Sequence, residues 1–441
     1  MLNAWTLFAL AGRDPWAAIP LIGGALLLAA VRRPTIARRG TRILDAALAA
    51  CLLVPIVQSI PLRPALRQAI APAAVAFDRA ERLADPAAPP GARPLSVDPA
   101  ATAWAIALGA GLLCVFWCAR TTFEEGGVRL VARSVAWCGL VLAPLVVVQQ
   151  YTSPRLMYWR WQPPATNAYP YGPFVNRNDL ACWLIMAIPL AAGYLVAHVE
   201  SRLRSDHTRT IERVLDARLL WLGGAIALML ATLLITVSRS GLAGITAAAC
   251  ALLWLSRGRV SVRRRTWAIG ALGMIGAAAL SVANVGLMAS RLGEALDAAG
   301  GRIGVWRQTW PMARDFWPNG VGIGAFAQAM VRYHRGSYLF YVNHAHNEYL
   351  QLLAEGGALV VVCGGVAALA AALIIKRRLG ADRTPLFWVR AGAAGGLVAV
   401  AVQCVWETPL GLLANSVMFA LLAAIATHES RAPQVRRSAL G

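Results

Sequence analysis

The decapeptide Tyr341 to Leu350, YVNHAHNEYL, places two histidines, two asparagines and a glutamate within six residues, just ahead of a long apolar run. A neutral imidazole is the natural general base for a hydroxyl near pH 7. His344 and His346 therefore mark this stretch for proton transfer. Asn347 is placed to orient a ring or bind a sugar, and Glu348 completes the cluster. Metal binding is the rival chemistry. His344 and His346 stand two residues apart, which does not put both on one helix face, and only His334 offers a third ligand at usable spacing. No metal and no cofactor are expected.

Three further clusters carry charge at the ends of apolar runs. GPFVNRNDLA, Gly172 to Ala181, holds Asn176, Arg177, Asn178 and Asp179. Its Asn/Asp end reads as a helix N-cap, which accounts for Asn178 or Asp179 but leaves Arg177 unexplained. TVSRSG, Thr236 to Gly241, sets Arg239 between two apolar runs with almost no loop. Such an arginine either snorkels to lipid phosphates or works with the helix N-terminus around Ser238, Ser240 and Gly241 to hold an anionic oxygen cluster such as a diphosphate. GGRIGVWRQTWPMARDFWPNGVGIGAF, Gly300 to Phe326, opens with Ile303, Trp306 and Trp310 at helical spacing and Arg302 and Arg307 between them. That is the pattern of an interfacial amphipathic helix. Its GVGIG lacks a following lysine and is not a nucleotide loop.

The elements that position these clusters follow from composition. Of 441 residues, 58% are hydrophobic and only 14% charged, with mean hydropathy +0.56. A soluble chain carries about 25% charged residues. Apolar runs at about 16–31, 43–60, 100–118, 130–150, 179–197, 219–237, 241–256, 267–284, 350–375, 386–404 and 411–427 predict an all-α, polytopic helical membrane protein. No alternating pattern suggests a barrel. The short apolar segment LNAWTLFALAG stands as the remnant of a twelfth span, and a chain of eleven to twelve spans is expected. The eight cysteines all lie in apolar runs, so no disulfide or zinc site is predicted.

Net charge is +21, yet the arginines sit in short connectors, which is the pattern that orients membrane proteins rather than one that binds nucleic acid. Blocks at Arg32–Arg42, Arg257–Arg265, Lys376–Arg383 and Arg431–Arg437 all fall on one side, the cytoplasmic one. The single integral-membrane domain 1–441 then has outer connectors at 61–99 and 285–347, the latter with amphipathic helices, and a cytoplasmic tail at 428–441. A further outer connector spans 151–178, and short outer turns lie at 238–240 and 406–409 (WETP). All four polar clusters share the outer face. There, guanidinium groups would hold an anionic leaving group while a histidine takes a proton from an attacking alcohol. No ATP is available outside, so the energy must arrive in a bond, as in a lipid-linked diphosphate sugar. A multi-span transporter is the reading from another class. It places charges near the midplane, often in an internal repeat, and neither feature is evident.

The segment HAHNEYLQLLAEGG most strongly, with SRSG, FVNRNDLA, GRIGVW…NGVGIGAF, PLSVDPA and WETPLGLLANSVMFA also matching in order and spacing, resembles the O-antigen ligase and polymerase superfamily of bacterial envelopes over roughly residues 43 to 427. Glu407 stands where that family often has aspartate. The resemblance implies a glycosyltransferase of the GT-C architecture in the bacterial inner membrane, with its active site on the periplasmic side. It implies transfer from undecaprenyl diphosphate to a hydroxyl, with inversion and without a metal. His346 would be the base, Arg239 a diphosphate clamp and Arg302 its assistant, with Arg307 a near neighbour of the same chemistry. Arg177 and Asn178 would line the site, with Asn176, Ser238, His344, Asn347 and Glu348 around them. Partners would be the lipid-linked glycan donor, lipid A-core or a glycan as acceptor, and membrane lipids. Ligation to lipid A-core is the first reading and repeat-unit polymerisation the second.

Overall fold

The computed structural model describes residues 1–81, 91–163, 169–205, 216–261, 263, 301–335 and 341–429. Among these residues there is no strand, only isolated bridges. The helices are α1 (Leu2–Phe8), α2 (Pro15–Arg32), α3 (Arg42–Gln58), α4 (Pro64–Ile70), α5 (Pro72–Glu81), α6 (Pro99–Glu125), α7 (Val128–Thr152), α8 (Arg177–Ser205), α9 (Ala217–Ile235) and α10 (Arg239–Leu255). They continue with α11 (301–315), α12 (Phe326–Tyr333), α13 (Glu348–Ala381), α14 (Leu386–Gln403) and α15 (Leu413–Thr427).

Seven of these helices (α2, α6, α7, α8, α9, α13 and α14) are long and apolar enough to cross a membrane. The chain is an all-α multi-pass membrane protein. Helices α3 and α10 have 17 residues and α15 has 15. Ten of the eleven expected runs are thus helical, and the run at 267–284 lies outside the described residues. The segment considered as a twelfth span forms the seven-residue α1. At 1.5 Å per residue that reaches roughly 10 Å, far short of the hydrocarbon thickness.

The centre of the bundle is α8. Its apolar run WLIMAIPL is buried on every side, as befits a helix that is hydrophobic all round. Its closest companion is α14, whose sequence RAGAAGG presents almost no side chain. A Cβ on Gly193 would lie 2.2 Å from the Trp388 carbonyl oxygen, and one on Gly392 2.2 Å from that of Pro189. The two backbones touch, and small residues are what permit this in a membrane helix pair.

One end of the bundle gathers the arginine blocks. Arg259 donates to the Asp382 and Thr384 carbonyls, Arg204 to Arg383 O at 3.1 Å, and Arg378 to Glu429 at 2.9 Å. Within the bundle near this end, Arg120 of α6 grips Asp45 of α3 through both guanidinium nitrogens, at 2.7 and 2.8 Å. The block at 431–437 lies outside the described residues.

At the other end a second apolar core forms above the bundle. Phe77 of α5, Met312 of α11, Phe326 and Met330 of α12, and Leu95 pack together there. Two polar side chains seat this cap. Gln58, the last residue of α3, donates to Asn319 O and Glu355 O and accepts from the Ile323 N–H. The Glu355 carboxylate accepts from the Gly324 and Phe326 N–H groups at 3.0 and 3.3 Å. The glycine-rich GVGIG is therefore a backbone docking loop. Helix α13 breaks beneath it at Gly357, with φ +64° and ψ −161°, and the Ala358 N–H reaches Pro318 O at 2.9 Å.

A side chain at Gly357 would be strained by its positive φ and would place Cβ 1.9 Å from Pro318 O. Gly357→Ala is therefore expected to cost more than about 2 kcal/mol. Gly364→Ala, in the same helix with nothing within 4 Å of the added carbon, is expected to leave stability unchanged or raise it. Thermal unfolding of the two purified variants in one detergent checks the contrast.

Candidate active site

Five chain segments meet at the cap side of the bundle: the starts of α8, α10 and α13, the described part of α11 around Arg302, and the turn after α14. Side-chain caps open three of them. Asn176 Oδ1 accepts from the Asn178 N–H at 2.9 Å and opens α8. Ser238 Oγ accepts from the Gly241 N–H at 3.1 Å and opens α10. Asn347 Oδ1 accepts from the Leu350 N–H at 3.0 Å and opens α13. Each satisfies a backbone donor that the helix itself leaves bare.

Because Asn176 takes the cap, the Asn178 side chain is released for a longer reach. Its Oδ1 accepts from Ser238 Oγ at 2.8 Å, and its Nδ2 donates to Glu407 Oε1 at 2.6 Å. The Asn178 carbonyl accepts from Gln403 Nε2 at 2.9 Å. Glu407 is only 3% exposed. The same Oε1 accepts from Arg302 of α11, and Oε2 lies 3.6 Å from His346 Nδ1. One carboxylate thus joins α8, α11 and the histidine segment, and through Asn178 it reaches the Ser238–Arg239 turn.

The 3.6 Å separation to His346 is within ion-pair range but longer than a hydrogen bond. It still points Nδ1 at the carboxylate and leaves Nε2 on the far side of the ring. His346 holds φ +51° and Val237, one residue before Ser238, φ +48°. Left-handed backbone in a β-branched residue is costly, and such strain concentrates at functional sites. The histidine segment is pinned from both sides. Trp306 Nε1 donates to Ala345 O at 2.9 Å, and the Ala345 N–H donates to Gln351 Oε1 at 3.0 Å. Burial and the neighbouring His346 push the His344 imidazole below its usual range, so His344 remains neutral where an ordinary histidine begins to charge.

The candidates from sequence divide as follows. Asn178, Ser238, Arg302 and His346 join one network. Arg239, the first residue of α10, adjoins it with an exposed side chain. Arg177 opens α8, is exposed and makes no ion pair among the described residues; Arg307 is likewise exposed on α11. Asn176 and Asn347 are occupied as caps. Glu348 lies behind the network: its N–H donates to Cys404 O at 2.9 Å, and its buried Oε2 has no partner. The expected surface stripe of α11 is partly corrected. Ile303 and Trp310 stay exposed, but Trp306 turns inward to the histidine segment because its indole N–H finds a carbonyl there. Glu407 and Gln403 were not among the candidates, although the charge in WETP directly after an apolar helix was the available signal.

A family model described as O-Antigen ligase matches residues 224–364. Residues 224–364 are thus similar to O-antigen ligase. The match covers about a third of the chain, from within α9 through α10 to α12 and into α13, hence Ser238, Arg239, Arg302, Arg307 and the whole histidine cluster. It is the superfamily that the sequence motifs resemble. No curated protein matches the chain. The match supports glycan transfer of the ligase or polymerase type, in a chain whose helices are long and apolar enough to cross a membrane.

If Glu407 is held by its partners as the geometry describes, Glu407→Gln should lower stability by about 1–3 kcal/mol through the Arg302 guanidinium it leaves behind. The double variant Arg302→Gln/Glu407→Gln should lose less than the sum of the two single variants. Additive losses in thermal unfolding would count against the coupling.

Proposed function

We propose that the chain transfers a glycan from undecaprenyl diphosphate to a hydroxyl acceptor on the periplasmic face of the inner membrane, and that the acceptor is lipid A-core. The observation that supports this most is the network running from the Ser238–Arg239 turn through Asn178 and Glu407 to His346 and Arg302. It sets the Arg302 guanidinium on the same carboxylate as an imidazole whose Nε2 faces away from it, at one end of the membrane helices rather than at their midplane. That placement favours a transferase over a transporter.

In this reading Glu407 keeps the proton on His346 Nδ1, as a carboxylate does for other catalytic histidines. Nε2 takes the proton of the acceptor hydroxyl. The acceptor oxygen bonds to the anomeric carbon as the bond from that carbon to the diphosphate oxygen breaks, with inversion. The electron pair of the broken bond stays on undecaprenyl diphosphate. Arg239 and the N-terminal turn of α10 meet that negative charge, because unpaired N–H groups and a guanidinium fork both suit phosphate oxygens. Arg302 assists from α11, and Arg177 and Asn178 line the donor side. No metal takes part in this scheme.

A deletion strain examined by lipopolysaccharide gel tests the acceptor. Polymer accumulating on its lipid carrier and missing from lipid A-core is the result expected of a ligase. A core bearing a single repeat unit would instead mark a polymerase. His346→Ala should lower transfer by at least about a hundredfold while the variant still inserts and still binds the lipid-linked donor. Normal transfer by that variant would remove the base from the scheme.

A further inference from the structure

At the arginine end, α7 begins, α8 ends and α9 begins around a cavity of about 170 Å³ lined by Arg129, Tyr194, His198, Ser201, Arg202 and Arg218. It is remote from the candidate active site. Helix α8 has 29 residues, so its two ends stand roughly 40 Å apart.

The charge of the lining is one-sided. Three guanidinium groups converge on the space. Asp216, which pairs with Arg202 alone of the three, is already occupied on both oxygens: Oδ1 accepts from the Leu219 N–H at 2.8 Å, while Oδ2 accepts from Arg202 at 3.0 Å and lies 2.9 Å from His198 Nε2. The other nearby carboxylate, Glu200, is engaged by Arg204 and by the Trp388 indole. Neither Arg129 nor Arg218 makes an ion pair among the described residues. The Ser201 hydroxyl adds a small donor to the wall.

Guanidinium forks match the oxygens of a phosphate group. The volume narrows the class. About 170 Å³ accommodates a phosphate and the atoms next to it, while sites for whole small molecules start near 300 Å³. Leu130, Leu203 and Leu220, on the same three helix ends and each within two residues of a lining arginine in sequence, are all exposed. Farther along α7 and α9, Trp137 and Trp221 stack with centroids 4.8 Å apart. A guanidinium-lined hollow on helix ends that also expose leucines suits the mixed polarity of a phospholipid.

We propose that this cavity is a phosphate-binding site that takes the head group of an acidic phospholipid, with the acyl chains lying over the exposed leucines. The proposal does not depend on the transferase reading.

The test uses the purified full-length chain in phosphatidylcholine nanodiscs, with phosphatidylglycerol titrated in and millimolar inorganic phosphate as a separate arm. Native mass spectrometry reads binding and thermal unfolding reads its effect. Phosphatidylglycerol is expected to bind and to raise the unfolding temperature. The variant Arg129→Gln/Arg218→Gln is expected to weaken the apparent Kd about tenfold or more. Arg39→Gln, which removes an exposed arginine at the same end but outside the cavity, is expected to behave as the unaltered chain. A response to inorganic phosphate alone, lost in the double variant, would assign the site to the free anion. Retention of the full phosphatidylglycerol response by the double variant, or an equal loss in Arg39→Gln, would overturn the proposal.

Discussion

A carboxylate removed from water has to be met by donors or by positive charge, and Glu407 imposes that demand on the whole upper end of the bundle. An uncompensated charge in that position would cost several kcal/mol. Compensation comes from residues far apart along the chain: Asn178 at the start of α8, Arg302 on α11, and His346 ahead of α13. Each arrives on a different element, so the single buried acid sets the relative placement of three of them. The turn between α9 and α10 follows through Ser238, although it never touches the acid.

That arrangement holds only if α8 and α14 keep their axial register, because Asn178 belongs to the first and Glu407 follows the second. Backbone contact at Gly193 and Gly392 supplies the register. A seam with almost no side chains leaves little freedom to slide. The cap is fixed by a different device. Gln58 and Glu355 spend their side chains on backbone groups of the loop that joins α11 to α12, and Arg302 inherits its position from that docking.

The membrane helices were legible because hydrophobic length is a local property of sequence. The run that became α13 could be seen, but its break at Gly357 could not, although the glycine pair in AEGG is plain. The break depends on contact with Pro318, and nothing local specifies that. The site shows the same division. Polar residues at the mouths of apolar runs identified Asn178, Ser238, Arg302 and His346. The Asn/Asp pattern points to Asn178 or Asp179 as the cap of α8, but Asn176 takes it, because the cap is set by the path on which the chain enters the helix. Asn347 likewise serves the backbone of α13. Glu407 was noticed as a residue type but not as the junction, because its partners Asn178 and Arg302 lie 229 and 105 residues away.

Helix α10, which begins at Arg239, has 17 residues and keeps one flank open outward. Its rise comes to about 25 Å, some 5 Å less than an average hydrocarbon layer. Lipids alongside it must thin to match, and the leaflet surface dips there. Under the proposed transferase scheme, a lipid-linked diphosphate resting in that depression would lie at the depth of Arg239 without leaving the bilayer.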